Sequence, residues 1–125
     1  MTHNDFTAQT LVKDIFASGA CDNIDLITPI GHESGLGYFE NGLDIIGLDR
    51  GIILSTGPTH NAAGPNNETD KSGDLPGNGD DADLSGLSTG QVRDAVGIEF
   101  DFTPLDSIVR FRYVFASEEY CEFVG

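Results

Sequence analysis

DAVGIEFDFTPLDSIVRFRYVFASEEY, residues 94–120, decides how the chain is read. In its first half Val96, Ile98, Phe100 and Phe102 fall on one side of an extended segment and Glu99 and Asp101 on the other, the period-two pattern of a half-buried strand. In its second half Val109, Phe111, Tyr113 and Phe115 alternate with Ile108, Arg110, Arg112 and Val114, and Thr103-Pro104-Leu105-Asp106 supplies turn chemistry between the two runs. The expectation is an antiparallel hairpin in which 102 faces 107, 100 faces 109 and 98 faces 111. That register gathers both apolar rows on one face and sets Glu99 opposite Arg110 on the other. A slip by one residue would put Phe100 and Phe102 beside arginines, which argues against it.

Working outward, TAQTLVKDIFAS at 7–18 places Leu11, Val12, Ile15 and Phe16 at helical spacing, with Asp5 or Thr7 as N-cap and Gly19 past the end. Such a short amphipathic helix needs a sheet to cover its apolar face. NIDLITPI at 23–30 reads as a strand with Ile24 and Leu26 on one side, and Pro29 marks its end or a sheet edge. Leu36, Tyr38 and Phe39 suggest a short strand closed by an Asn41-Gly42 turn, GLDIIGL at 42–48 is too short and glycine-broken for a helix, and GIILS at 51–55 reads as a buried central strand. From 57 to 92 the chain turns acidic and rich in Gly, Asn and Asp, with Leu75, Leu84, Leu87 and Val92 its few large apolar residues. A loop of that kind cannot fold a core of its own. The fold class these elements add up to is mainly β: an antiparallel β-sandwich or jelly-roll-like sheet with one short N-terminal helix and a long acidic loop.

At 125 residues, the length suits a single domain. Six basic against 21 acidic residues give a formal charge of −15 and a pI near 4.1, so a phosphate backbone or an anionic membrane finds no basic stripe to bind. Solubility, divalent cations or a cationic partner are what this charge favours. No apolar run is long enough to span a bilayer. The opening MTHNDFTAQT lacks the basic and apolar regions of a secretory signal. Cys21 and Cys121 lie outside any C-x-x-C unit, so either a long-loop bridge or two separate core thiols is open.

The sharpest local chemistry is NGDDAD at 78–83, with Asp70 and Asp74 upstream and Glu118-Glu119 after the second expected strand. Calcium takes six to eight hard oxygen ligands on glycine-permitted turns, which makes Asp80, Asp81, Asp83, Glu118 and Glu119 the candidate ligands of a Ca²⁺ ion. The spacing does not complete an EF-hand loop, and a solvated acidic loop is the competing reading. Adjacent strand residues point to opposite faces, so Glu118 and Glu119 cannot flank one glycosidic bond together. Ser55-Thr56-Gly57 with His60 lacks the strand-to-helix elbow of a serine nucleophile, and His3, His32 and His60 lack zinc spacing. No catalytic residue is assigned.

GIEFDFTPLDSIVRFRYVFASEEY at 97–120, with GIILSTG at 51–57 and GDDADL at 79–84, resembles the choice-of-anchor L domain of bacterial surface and secreted proteins; YVFASEEY is the most specific part. Asp81 and Asp83 match that family's GDADL-like segment, and Asp80 is added charge in this chain. The resemblance implies an extracellular or cell-surface β-domain with no assigned chemistry, whose secretory signal has been removed, replaced or lost with a fragment end. In the family the domain runs on through an FNDVFGF-like strand, so residues 1–125 are expected to be one truncated domain of a larger surface protein, with 57–92 as its acidic loop. The function expected is non-enzymatic, adhesion to a surface or matrix component, protein or glycan, with calcium ordering the loop. A carbohydrate-active hydrolase using Asp/Glu and a purely structural spacer are the alternatives.

Overall fold

The computed structural model describes residues 6–17, 23–65, 67, 73–77 and 80–117. Among them are antiparallel strands in two small sheets, short helices and a long acidic excursion. The helix opens where Thr7, in extended backbone, accepts a hydrogen bond from the Thr10 amide on its side-chain oxygen, at 3.2 Å. Its first turn, α1 (Ala8–Thr10), widens into π geometry over Leu11–Phe16, seen in the Ala17 amide reaching the Val12 carbonyl at 2.8 Å. Leu11 and Val12 are fully buried, and the helical segment packs against strands of both sheets.

Strand β1 (Ile24–Ile30) pairs antiparallel with β4 (Gly97–Phe102), and a further bond from the Thr103 amide to the Asn23 carbonyl extends the ladder. Ile24 lies opposite Phe102, and Phe16 meets Phe100 edge-on at 5.9 Å, so the aromatic row of β4 faces the helix as its alternation demands. A bulge interrupts β1 between Asp25 and Thr28, with Leu26 at φ 50°. The extra residue changes the alternation, and Leu26, expected beside Ile24 on the covered face, is exposed. The same register sets Asp25 opposite Asp101, two exposed carboxylates side by side on the outer face. Like charges directly opposite repel, so Asp101→Thr is expected to raise stability by about 0.5 kcal/mol in urea unfolding at low salt, the gain shrinking as salt is added.

The second sheet pairs β2 (Leu36–Glu40) with β3 (Arg50–Leu54). Phe39 lies over Gly51, where no side chain competes for the space, and Glu40 stands opposite Arg50. The Tyr38 hydroxyl donates to the Glu40 carboxylate, which holds the phenol above its ordinary titration range. Asn41, at φ 60°, turns the chain as expected, but residues 43–46 then form a one-turn helix, α2 (Leu43–Ile46), against the expectation of none. Gly47 ends this helix in the left-handed region, its amide reaching the Leu43 carbonyl at 3.1 Å, so the glycine read as a breaker is a C-cap. Nor is β3 a buried central strand. Among the described residues it has one partner, and its apolar residues are half-buried or, at Leu54, exposed.

The expected hairpin does not form. Residues 107–115 belong to no strand and are exposed throughout, while β4 is paired instead with β1, far away in sequence. The departing segment is held elsewhere: the Arg112 guanidinium donates to the Gly47 carbonyl at the end of α2, at 2.8 Å. A cation suits a helix C-terminus, where carbonyls lack partners. Cys21 and Cys121 lie outside the described residues.

Candidate functional site

Among the described residues the acidic excursion is tied down at Thr59 and Leu75. Thr59, in a 3₁₀ turn over Thr59–Ala63, is buried and donates to the carbonyls of Ser34 and Leu36 at 3.2 and 3.4 Å. Leu75 is buried against the close approach of Gly35, whose backbone lies under Val96, Ser55 and Leu75. Few apolar residues interrupt this polar stretch, and one of them is its anchor. With its base fixed, the carboxylates stay at the surface.

The stretch read as a continuous loop contains a helix, α3 (Ala82–Leu87), and the carboxylates proposed as metal ligands begin it. Asp81 is the N-cap: its Oδ1 accepts from the Leu84 amide at 2.9 Å. Asp80 Oδ1 accepts from the Ser85 hydroxyl at 3.0 Å. Asp83 lies in the first turn, where a negative charge suits the exposed amide ends. Local helix chemistry thus occupies Asp80 and Asp81. Glu118 and Glu119 lie outside the described residues, and among the described residues no three His, Cys, Asp or Glu side chains are grouped to hold a metal ion.

What the fold does bring together is a set of charges the sequence reading did not connect. An open groove of about 430 Å³ lies between residues 74, 75, 77 and 80 on one side and 91–94 on the other, lined by Asp74, Asp80, Gln91, Arg93 and Asp94. Asp94 turns the chain at φ 50° just before β4, and Arg93 extends to the Gln91 side-chain oxygen at 3.4 Å. A second shallow depression, about 310 Å³, lies at the Asn23–Thr103 end of the first sheet beside Asn23, Asp25, Asp101 and Thr103. The signal for the groove was present as the basic Arg93 beside Asp94. The Asp25–Asp101 pairing had no signal, because it depends on a register set by distant strands. His32, which lacks zinc spacing, caps the start of a 3₁₀ turn over Glu33–Gly35, its Nδ1 accepting from the Ser34 amide at 3.2 Å. Ser55 Oγ accepts from the Gly57 amide at 3.3 Å, a local turn bond.

The family model for the choice-of-anchor L domain matches residues 1–125. The chain belongs to the choice-of-anchor L family. That family comprises surface-associated bacterial modules and is not a known enzyme family, which places this choice-of-anchor L domain in a surface or secreted protein. No curated protein and no solved structure matches the chain. Among the described residues no helix of this choice-of-anchor L domain is long and apolar enough to cross a membrane.

Proposed function

We propose that this choice-of-anchor L domain is a non-enzymatic contact module of a larger surface protein, presenting its acidic excursion to a matrix or surface component, with calcium ordering that excursion. The observation that carries the reading is the anchoring: buried Thr59 and Leu75 fix the base while Asp74, Asp80 and Asp83 stay exposed. A chain of net charge −15 that holds its carboxylates outward on a fixed base offers hard oxygen ligands to a divalent cation, or a negative face to a cationic partner. In this reading the two sheets and the helix between them form part of a β-sandwich or jelly-roll packing, and the excursion is its contact edge.

Melting curves in millimolar calcium and in chelator test the reading. Binding to the native state alone at ten times Kd stabilises by about 1.4 kcal/mol, a rise of several degrees in Tm. Asp83→Asn removes an exposed charge and leaves the Asp81 cap of α3 in place, so it is expected to change the chelator-state Tm little and lose most of the calcium increment. Identical curves in calcium and chelator would remove the cation from the proposal and leave a cationic matrix partner, read by salt-sensitive retention on immobilised matrix components.

A further inference from the structure

Residues 108–115 carry six large apolar side chains in solvent, from Val114 at 51% exposed to Phe115 at 85%. Among the described residues no strand pairs with them, and β4, bonded to β1 along one edge, has no strand on its other edge. We propose that these two features complete each other between molecules: residues 107–112 of one copy add antiparallel to the free edge of β4 in a second copy, and the second copy returns the same contact.

Complementarity in shape and charge selects this occupant. With 107 across from 102, Val109 falls beside Phe100 and Phe111 beside Ile98, continuing the row that Phe16 covers. On the opposite face Arg110 lands across from Glu99 and diagonal to Asp101. That is the face where the β1–β4 register leaves Asp25 against Asp101 with no described basic partner in the sheet. The chain has six basic residues, and Arg110 and Arg112 bring two of them to this one segment. A slip by one residue would bury the arginines against Phe100, so charge and hydrophobicity fix the same register.

The segment's path points to a second copy rather than its own β4. After Phe102 the chain turns at Asp106, whose Oδ1 accepts from the Ser107 amide at 2.6 Å, and Arg112 is then bonded to the Gly47 carbonyl. The segment is led toward α2 and β4 keeps an open edge. Strand exchange across a short connection, under two-fold symmetry, satisfies both edges at once. It releases the single Arg112–Gly47 bond in return for a ladder of backbone bonds.

Sedimentation velocity and amide hydrogen exchange on the whole 125-residue chain, at physiological ionic strength, test the proposal. The expected result is a dimer at micromolar concentration whose Val109 and Phe111 amides, the ones this register turns toward β4, are protected only while it is associated. Phe111→Pro removes a ladder donor at an exposed position, so the monomer keeps its circular dichroism and melting transition while dimerisation is lost. Arg110→Glu is expected to weaken the dimer about tenfold, and Glu99→Arg added to it to restore affinity. A monomer with unprotected Val109 and Phe111 amides overturns the proposal. So does a monomer with those amides protected, which would mean closure on its own β4, or a dimer that Phe111→Pro leaves intact. Calcium response is read separately, so the two proposals stand or fall apart.

Discussion

Leu11→Ala is expected to lower the unfolding free energy by about 3 kcal/mol, read as a fall in the urea midpoint with an unchanged slope. Leu11 has no exposed surface, and it shares full burial with Val12 alone among the large described side chains. Among the described residues the buried apolar set is otherwise small: Ala8, Ile24, Leu36, Leu75 and Ala95. A cavity at Leu11 would open in the helical segment that touches strands of both sheets, leaving few large neighbours to collapse into it. The loss is a large share of the stability a domain of this size has. Leu87→Ala supplies the contrast. Leu87 is 86% exposed, so the same chemical deletion is expected to change stability by less than about 0.5 kcal/mol. Near-equal effects at the two positions would mean the helix is not the element that joins the sheets.

The contrast explains which parts of this fold were legible in sequence. The helix announced itself because Thr7 caps it locally and Leu11 and Val12 recur at the spacing of one face. The strands β1, β2 and β4 announced themselves through alternation, a property of a strand and its own two faces. Pairing is different, since it is a contest between distant segments. Residues 107–115 alternate as well as β4 does, yet β1 took the one edge of β4 that is filled, and nothing in either segment's own pattern ranks those partners. The bulge at Leu26 was hidden for the same reason, because it exists only relative to the partner strand. Apolar continuity in GIILS implied burial on both faces, but Ile52 and Ile53 are half-covered at the edge of a two-stranded sheet.

At the candidate site the acidic segment was located but its local geometry was not. Asp80, Asp81 and Asp83 were grouped by charge density, whereas an Asp followed by Ala82-Asp83-Leu84 is equally the start of a helix, and the Asp81–Leu84 bond is what forms. Anchoring by Leu75 could be suspected from its isolation in a polar stretch. The Arg93-Asp94 pair was visible as adjacent charges, but its place across from Asp74 and Asp80 was not, because that follows from a turn at positive φ ahead of β4.

Gly31→Ala is expected to cost about 3 kcal/mol or more, through backbone rather than side-chain contacts. Gly31 follows the last residue of β1 at φ +76°, where an L side chain is strained whatever the space around it. There is also no space: a Cβ built there falls 2.0 Å from the Ala95 carbonyl oxygen and 3.3 Å from Val96 Cγ2. A flexible side chain could swing away, but the Ala95 carbonyl belongs to buried backbone two residues before β4, beside the Ile30–Gly97 pair that ends the ladder. Relief therefore requires β1 and the entry to β4 to separate. Gly47→Ala isolates the conformational part of this cost, because Gly47 has nearly the same φ, +74°, and nothing within 4 Å of its built Cβ. That variant is expected to lose about 1–2 kcal/mol, the penalty of the left-handed backbone alone. The excess at Gly31 in paired denaturation curves measures how tightly the end of β1 is held against the strand that follows Ala95; equal losses at the two glycines would show that the approach yields without cost.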